Sequence, residues 1–429
     1  MLPTCDVKLD RDRASTVYAQ PQFSVWRHVT THDRTTSGSL MGVEASRSPS
    51  VRDNVAWPAD VSCLPPSSML GARGEGYEYI AYPSAREPRW LIPANTLLRS
   101  TSFNLWLPQT RRAAIIKQLR VWGLLPGERV SIRGQIYEWL HALLADRLHV
   151  PDLEMAFYLP PRSIYQKLTT QAMTSQGHII AIAKLASRPS AKQSLAIERN
   201  TLETIATNSQ VAAQVPQVIC WDRLPDTDLL ITSAGPMRGG AEKLGKPHLH
   251  FLDALLDSFG DTVRFHESSI WRCIQDTFHT CKPHLTAAWC ARYERTFNIL
   301  LDRLGRGLIG TTLAHRDFAP WNTRSFKNGA LFVFDWEFAR TGYLMNYDHY
   351  HFQFMTSMLR NRRSPVRCLP AEPGPTRKHH DTRKAYLLAY LVDLALSYHK
   401  MLFGRGGTED DLVLRQIGWL VDNLDQWLE

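Results

Sequence analysis

The feature that most constrains this chain is a polar segment that lies between two apolar stretches. It contains His315, Asp317 and Asn322. Asp335 lies thirteen residues after Asn322 and directly follows the apolar run 331–334. A tight loop with Asp and Asn five residues apart, close to an Asp at a strand end, brings three short oxygen-bearing side chains together. The alternative is an ordinary polar loop in which Asp and Asn only form turns.

Converging carboxylate and amide oxygens suit the transfer of a phosphoryl group from a nucleotide. This reaction needs a carboxylate that accepts the proton of the acceptor hydroxyl, and hard oxygen ligands that hold Mg²⁺ against the phosphates. Asp317 is the candidate for the first task. Asn322 and Asp335 are the candidates for the second.

The same segment resembles the signature of the aminoglycoside phosphotransferase and choline kinase families, whose fold is similar to that of protein kinases. Their loop reads His-Gly-Asp, then four residues and an Asn, and their metal-binding Asp begins an Asp-Trp-Glu or Asp-Phe-Glu run. The matching residues here are His315, Asp317, Asn322 and Asp335. Arg316 replaces the usual Gly, which makes the triplet look like the His-Arg-Asp of protein kinases. Asp348 stands where such families often carry another buried Asp.

The resemblance implies a strand lysine for the nucleotide phosphates and a helix glutamate that holds it. Lys184 ends the apolar run 179–183, and Glu198 follows fourteen residues later on a predicted helix. Glu203 and Glu154 are alternative partners for this lysine. We therefore expect Lys184 and Glu198 to act as a pair in the binding of a nucleotide.

The segment 229–236 is predicted to be a hinge, where backbone groups at Thr232 and Ala234 would bind an adenine or guanine. Its glycine and proline are equally compatible with a plain linker. The loop 159–163, which would cover the phosphates, contains no glycine, and this departs from protein kinases. Three helical aromatic residues either line an acceptor pocket or belong to the core: Trp271, Trp289 and Tyr293.

Apolar periodicity divides the chain into four parts. Residues 1–75 have sixteen Ser or Thr and no sustained period, which predicts disorder. Residues 76–150 are expected to form a small accessory α/β region. Residues 151–235 read as five strands with one helix after the third, and the second strand is expected at 163–171. Helices dominate 236–429. The predicted fold class is α+β: a bilobal, protein kinase-like fold with a five-stranded N-lobe, a helical C-lobe and an N-terminal accessory region.

Composition limits which ligands the protein is expected to bind and where in the cell it is expected to be. The formal charge is +9, and residues 1–75 hold eight basic and eight acidic residues, so the excess lies in 76–429 as 42 minus 33. This suits an anionic ligand such as a nucleotide, but without a Lys/Arg block it does not indicate a nucleic-acid polymer. The seven cysteines form no C-x-x-C pair, and no apolar run is long enough for a membrane span. A cytoplasmic location is expected.

The expected function is Mg²⁺-dependent transfer of the γ-phosphate of ATP or GTP to a hydroxyl of a small molecule of the aminoglycoside, sugar or amino-alcohol type. His315 would buttress the loop that carries Asp317. The main alternative is a catalytically weak pseudokinase that acts as a binding or scaffolding module. A protein kinase is a third possibility that draws only on Arg316. The complete set of Asp317, Asn322 and Asp335 favours an enzyme.

Overall fold

A computed structural model describes residues 70–71, 76–160, 163–208, 210–236, 239–361, 363–370, 380–404, 409 and 411–428. All of them belong to one compact unit, Val55–Glu429. The disorder predicted for residues 1–75 falls outside the described residues, apart from Leu70 and Gly71. Within the described part of the chain, no helix is long and apolar enough to span a membrane.

The secondary structure mixes strands and helices throughout. The strands are β1 (Leu70–Gly71), β2 (Tyr77–Tyr82), β3 (Trp90–Pro93), β4 (Glu128–Ile132), β5 (Leu153–Tyr158), β6 (Leu168–Thr174), β7 (Ile179–Ala186), β8 (Val218–Arg223), β9 (Asp228–Ser233), β10 (Asp261–Arg264), β11 (Leu308–Ala314), β12 (Thr323–Ser325), β13 (Leu331–Val333) and β14 (Arg340–Leu344). The helices are α1 (Thr96–Ser102), α2 (Arg111–Val121), α3 (Gly134–Leu148), α4 (Pro189–Ala206), α5 (Lys246–Phe259), α6 (Ser269–Cys281), α7 (Ala287–Leu304), α8 (Tyr347–Met355), α9 (Pro365–Cys368), α10 (His380–Phe403) and α11 (Leu412–Asp422).

The main sheet is antiparallel and has nine strands in the order β1-β4-β2-β3-β5-β6-β7-β9-β8. The five strands predicted for 151–235 are contiguous within it, with α4 between the third and the fourth as expected. The sheet does not end there, because β3 pairs with β5 and joins the accessory strands to the same sheet. The second predicted strand begins at Leu168 and not at residue 163, so the loop before it is longer than expected.

The two faces of this sheet carry different partners. Leu140 and Leu144 of α3 share one buried cluster with Ala183 and Leu185 of β7. Because side chains alternate along a strand, Lys184 of β7 faces the opposite side. Helix α4 packs on that second side. The alternation therefore places Lys184 beneath α4 and keeps the apolar residues of β7 on α3.

Residues 101–108, which run from the end of α1 and are called the bridging segment here, contact both the sheet and the helical part of the chain. Four of its backbone carbonyls accept hydrogen bonds from side chains of other elements, over 2.8 to 3.2 Å. The pairs are Gln171 to Thr101, Arg324 to Asn104, Lys117 to Trp106 and Arg360 to Pro108. The accessory region is thus tied to β6, to β12 and to the residues that follow α8.

Strand β13 confirms the short apolar strand expected before Asp335, but the described helical part also contains strands that the sequence did not reveal. Strands β10, β11 and β14 form a three-stranded sheet, and β12 pairs with β13. Asp261 of β10 pairs with Thr311 of β11, fifty residues away. Short strands with such distant partners leave no local periodicity to detect. Helix α10 lies at the centre of this part, and four consecutive residues, 388–391, are fully buried.

The pairing of β3 with β5 predicts that the accessory strands unfold together with the rest of the sheet. Leu91 of β3 is fully buried opposite Phe157. Leu91→Ala should lower the free energy of unfolding by about 2 to 5 kcal/mol, because a buried cavity replaces the side chain. Leu124→Ala is the matched control, since Leu124 is 64% exposed. Chemical denaturation followed by fluorescence and circular dichroism measures both. A separate early transition in the Leu91 variant would show that the accessory strands fold independently.

Candidate active site

The predicted catalytic loop begins where β11 ends, and one buried carboxylate holds its first turn. The backbone N–H groups of His315 and Arg316 donate to the two carboxylate oxygens of Asp348, over 2.7 and 2.8 Å. Arg316 has a φ of +67°, in the left-handed region that favours glycine. Burial raises the pKa of Asp348, while His315 and the two N–H donors act to lower it. Asp348 therefore caps a turn that would otherwise leave two buried N–H groups without partners.

Asp317 is fixed by contacts on both of its carboxylate oxygens. The Nδ2 group of Asn322 donates to the backbone carbonyl and to Oδ2 of Asp317, both over 2.8 Å. His351 of α8 places Nε2 3.2 Å from Asp317 Oδ1. Asp317 is 8% exposed. The sequence predicted Asn322 near Asp317 as a magnesium ligand, but it missed this amide–carboxylate contact and also His351, for which no local motif exists.

His315 links the catalytic loop to the strand that leads to Asp335. Its Nδ1 accepts from the backbone N–H of Asp317 over 3.2 Å, so the ring proton lies on Nε2, which is 2.9 Å from the carbonyl oxygen of Phe334. The side chain is fully buried. Both ring nitrogens are therefore engaged with backbone groups, and His315 braces the residue that precedes Asp335.

Lys184 lies at the centre of an ion cluster. Its Nζ is 2.7 Å from both carboxylate oxygens of Glu198 and 2.7 Å from Oδ1 of Asp335. Of the alternative partners, Glu203 instead pairs with Arg199, at 3.0 Å. Burial lowers the pKa of Lys184, but the two carboxylates outweigh it and raise the pKa above its usual value. Strand β7, helix α4 and the end of β13 meet at this lysine.

Asp335 is held on a strained backbone next to two lysines. Its φ is +71°. Burial raises its pKa, but Lys184 and Lys167 together lower the pKa below the usual value, so the carboxylate is ionised at neutral pH. The N–H of Phe334 donates to the carbonyl oxygen of Asn322 over 3.2 Å. Asp335 therefore follows directly on a residue that is bonded to Asn322.

A second lysine, which the sequence did not reveal, lies in the same cluster. Lys167 precedes β6 and is 6% exposed. Its Nζ donates to Ser194 Oγ over 3.1 Å and to Oε2 of Glu337. Burial and the charge of Lys184 lower the pKa of Lys167 to about 8.

Thr232 and Ala234, which were expected to bind an adenine or guanine, lie at the end of β9 and just beyond it. Thr232 pairs with Ile182 of β7, so its side chain lies on the same face of the sheet as Lys184. Its hydroxyl donates to the Ile182 carbonyl over 3.5 Å. Ala234 follows on a half-buried segment. A Cβ at Gly235 would come within 2.2 Å of the Phe332 ring, so a glycine is needed for this segment to pass β13.

Arg316 points into the core of the helical part. Its guanidinium donates to Asp393 Oδ2 over 2.8 Å, and its side chain is only 10% exposed. The hydroxyl groups of Tyr343 and Tyr347 donate to the same carboxylate, over 2.6 and 2.7 Å. Arg316 is therefore engaged inside the protein by the Asp393 carboxylate.

The aromatic residues considered for an acceptor pocket belong to the core. Trp271 and Trp289 are each 5% exposed and Tyr293 is 2% exposed, all within one hydrophobic cluster. Tyr293 also bonds His399 over 2.8 Å. These three side chains therefore serve packing, and the core interpretation is the one that the structure supports.

The donor set around Asp335 fits a magnesium ion that is held mainly by its substrate. Among the described residues, no group of three or more His, Cys, Asp or Glu side chains could hold a metal on its own. Mg²⁺ in nucleotide sites takes one or two protein oxygens, and phosphates and water supply the rest. Both N–H hydrogens of the Asn322 amide are used on Asp317, which directs its amide oxygen away from that carboxylate.

Comparisons with known proteins give distant structural likenesses. No protein-family model matches the sequence, and a search of curated proteins found no match. A thermostable mutant of aminoglycoside phosphotransferase APH(4)-Ia, bound to ADP and hygromycin B, is 15% identical with a TM-score of 0.46, over 66% of this chain and 98% of that one. Choline kinase LicA from Streptococcus pneumoniae is 11% identical with a TM-score of 0.46, over 68% and 100%. What those proteins bind does not carry over to this chain at such low identity.

The buried Arg316–Asp393 pair predicts a large cost when one partner is lost. Asp393→Asn should lower the free energy of unfolding by about 3 to 5 kcal/mol, because the Arg316 charge stays buried without its counter-ion. Arg316→Gly combined with Asp393→Asn should lose less, since the unpaired charge is gone, the amide oxygen can still accept from the tyrosine hydroxyls, and glycine accepts the positive φ. Urea denaturation measures each variant, with Asp276→Ala on an exposed face of α6 as the control. An equal loss in the single and the double variant would contradict this account of the pair.

Proposed function

We propose that this chain is a kinase-like phosphotransferase that moves the γ-phosphate of ATP or GTP to a hydroxyl of a small molecule. The observation that carries the proposal is the junction of two clusters. Lys184, Glu198 and Asp335 form one, and Asp317 with Asn322 forms the other. The hydrogen bond from Phe334 to Asn322 and the contact of His315 with Phe334 join them. The proposed phosphate-binding lysine, the proposed metal ligands and the proposed carboxylate base therefore lie in two linked clusters.

Asp317 is the proposed general base. In the reaction, a bond forms between the acceptor oxygen and the γ-phosphorus, and the bond from that phosphorus to the bridging oxygen of the β-phosphate breaks. The acceptor proton passes to the Asp317 carboxylate. Asn322 and His351 fix the direction of this carboxylate before the substrate arrives, which lowers the entropic cost of reaching the reactive geometry.

Lys184 is proposed to bind the nucleotide phosphates, and Glu198 to hold its ammonium group in place. The two Glu198 oxygens lie at the same distance from Lys184 Nζ, which fixes the lysine side chain on the α4 side of the sheet. Asn322 and Asp335 are the proposed ligands of Mg²⁺. A bound Mg²⁺ would neutralise phosphate charge during transfer. Backbone groups at Thr232 and Ala234 are proposed to bind the adenine or guanine of the nucleotide.

The competing proposal is a catalytically weak pseudokinase that binds partners without transferring phosphate. It draws on the loop 159–163, which has prolines where a glycine-rich loop would be expected. A scaffold has no need of a carboxylate that is aligned by an amide and an imidazole at once. The alignment of Asp317 therefore favours the enzyme.

The proposal predicts that a magnesium–nucleotide complex stabilises the fold. At a ligand concentration one hundred times its dissociation constant, the gain in free energy of unfolding should be about 2.7 kcal/mol. Thermal melts with millimolar MgATP or MgGTP, and with EDTA in place of magnesium, measure this. A melting temperature that neither nucleotide moves would count against both the site and the enzyme.

The division of roles predicts different defects for the two aspartates. Asp317→Asn should reduce phosphate transfer by at least about 10²-fold to 10⁴-fold and leave nucleotide affinity nearly unchanged, because only the base is lost. Asp335→Ala should weaken magnesium-dependent nucleotide binding itself. Mass spectrometry of acceptors phosphorylated from a metabolite mixture gives the first readout, and titration calorimetry gives the second. Asp302→Asn on the exposed face of α7 is the control. The same binding defect in both variants would refute the division.

A further inference from the structure

We propose that Lys167 is a second phosphate-binding lysine of this site and that it does the work for which protein kinases use backbone N–H groups of a glycine-rich loop. The proposal rests on the proposed nucleotide-dependent function and deepens it. Its ligand is the polyphosphate chain of a nucleoside triphosphate. Four observations support it: the position of Lys167 in the sheet, its partners, its burial, and the composition of the loop that precedes it.

The register of the sheet places Lys167 beside Lys184. Thr169 of β6 is the cross-strand partner of Lys184. Lys167 lies two residues before Thr169, so its side chain projects from the same face of the sheet. Adjacent strands lie about 4.8 Å apart and two residues span about 6.6 Å along a strand. Two long side chains that start this close together can both reach one polyphosphate.

The partners of the two lysines are related as well. Lys184 contacts Asp335, and Lys167 contacts Glu337, so two lysines on neighbouring strands each hold one carboxylate of the same three-residue run. Ser194 of α4 bonds both Lys167 and Glu337, over 3.1 Å in each case, which fixes where this ammonium group lies. Lys167 is therefore tied to the run that carries the proposed metal ligand.

Burial makes this an unfavourable place for a cation that has only a structural role. Lys167 is 6% exposed, and burial together with Lys184 lowers its pKa to about 8 although Asp335 and Glu198 act in the opposite direction. A buried ion pair can be replaced by apolar residues at little or no cost in stability. The two lysines already face three carboxylates, those of Glu198, Asp335 and Glu337, so an arriving polyphosphate would have to bring Mg²⁺ to offset its own charge.

The preceding loop explains why a side chain is needed. A glycine-rich loop cradles phosphates through its backbone N–H groups, which glycine allows to approach closely. Here residues 159–163 contain two prolines and no glycine, and each proline removes an N–H donor. Lys167, four residues after this loop and just before β6, offers three N–H donors and a positive charge in place of the missing backbone groups.

The test compares nucleotide binding by the full-length chain and by Lys167→Met, which removes the charge and keeps most of the side-chain length. Affinity for MgATP and MgGTP should fall by about 10- to 100-fold, as expected for a lost charged hydrogen bond. Affinity for adenosine and guanosine should not change, because these carry no phosphate. Lys192→Met is the matched control, since Lys192 also lies on the sheet side of α4 and pairs with Asp228 at 4.0 Å.

A second readout measures the protons that the protein takes up when a nucleotide binds. If phosphate contacts Lys167, its pKa should rise on binding, so the native chain should take up protons when a nucleotide binds at a pH near or above 8. Titration calorimetry in two buffers with different ionisation enthalpies measures this uptake. The uptake should disappear in Lys167→Met. A lysine with only a structural role would leave the proton uptake the same in both proteins.

Lys167→Met leaves Glu337 without its cation, so the variant could fail to fold. Glu337→Gln compared with Lys167→Met/Glu337→Gln then isolates the lysine, because Glu337 is neutral in both. Equal triphosphate affinity in either pair of proteins would overturn the role of Lys167, and so would an equal loss for nucleosides and triphosphates. If the native chain bound no nucleotide at all, the proposed function would fall, and the role of Lys167 with it.

Discussion

The arrangement of this molecule depends on the ion cluster around Lys184. Strand β7 supplies the lysine, α4 supplies Glu198, and the turn after β13 supplies Asp335, so three elements from distant parts of the chain meet at one ammonium group. A buried ion pair of this kind adds little net stability, since desolvation offsets most of the attraction. The ion cluster instead determines geometry, because each carboxylate is paired only when it lies next to the Lys184 ammonium group. The position of α4 on the sheet and the position of Asp335 are therefore set together.

The residues that sequence could predict are those whose partners are near in the chain or whose place follows from periodicity. The Lys184–Glu198 pair was predicted from the resemblance to kinase-like families, which implies a strand lysine and a helix glutamate, and the apolar run before Lys184 and the predicted helix around Glu198 supplied those two elements. Lys167 and Glu337 are 170 residues apart, and Asp393 lies 77 residues from Arg316. Contacts over such distances depend on how the elements pack, for which the local sequence carries no signal. The same reason hid the pairing of β3 with β5 and therefore the width of the sheet.

Arg316 illustrates how a residue that breaks a local rule is compensated at long range. A non-glycine residue with φ of +67° costs about 1 to 3 kcal/mol. Asp348 offsets part of this through two N–H bonds at the turn, and Asp393 receives the guanidinium in the core. The side chain that replaces glycine thereby links the catalytic loop to α10. Stability of the helical core and the geometry of Asp317 are thus expected to depend on each other.

The accessory strands do more than lengthen the sheet, because the bridging segment fixes the spacing between the sheet and the helical part. Gln171 lies on the Lys184 face of the sheet, and Arg324 lies two residues after Asn322. Both donate to carbonyl groups of this one segment, so its length sets how far apart the two donors stand. Burial lowers the pKa of Arg324 to about 10, and burial together with the charge of Arg324 lowers that of Lys117 to about 8. Two neighbouring cations that are solvated by backbone carbonyls hold their position only while the segment stays in place. The position of β6 relative to β12 therefore depends on residues 101–108, outside the part of the sequence in which a nucleotide site was predicted.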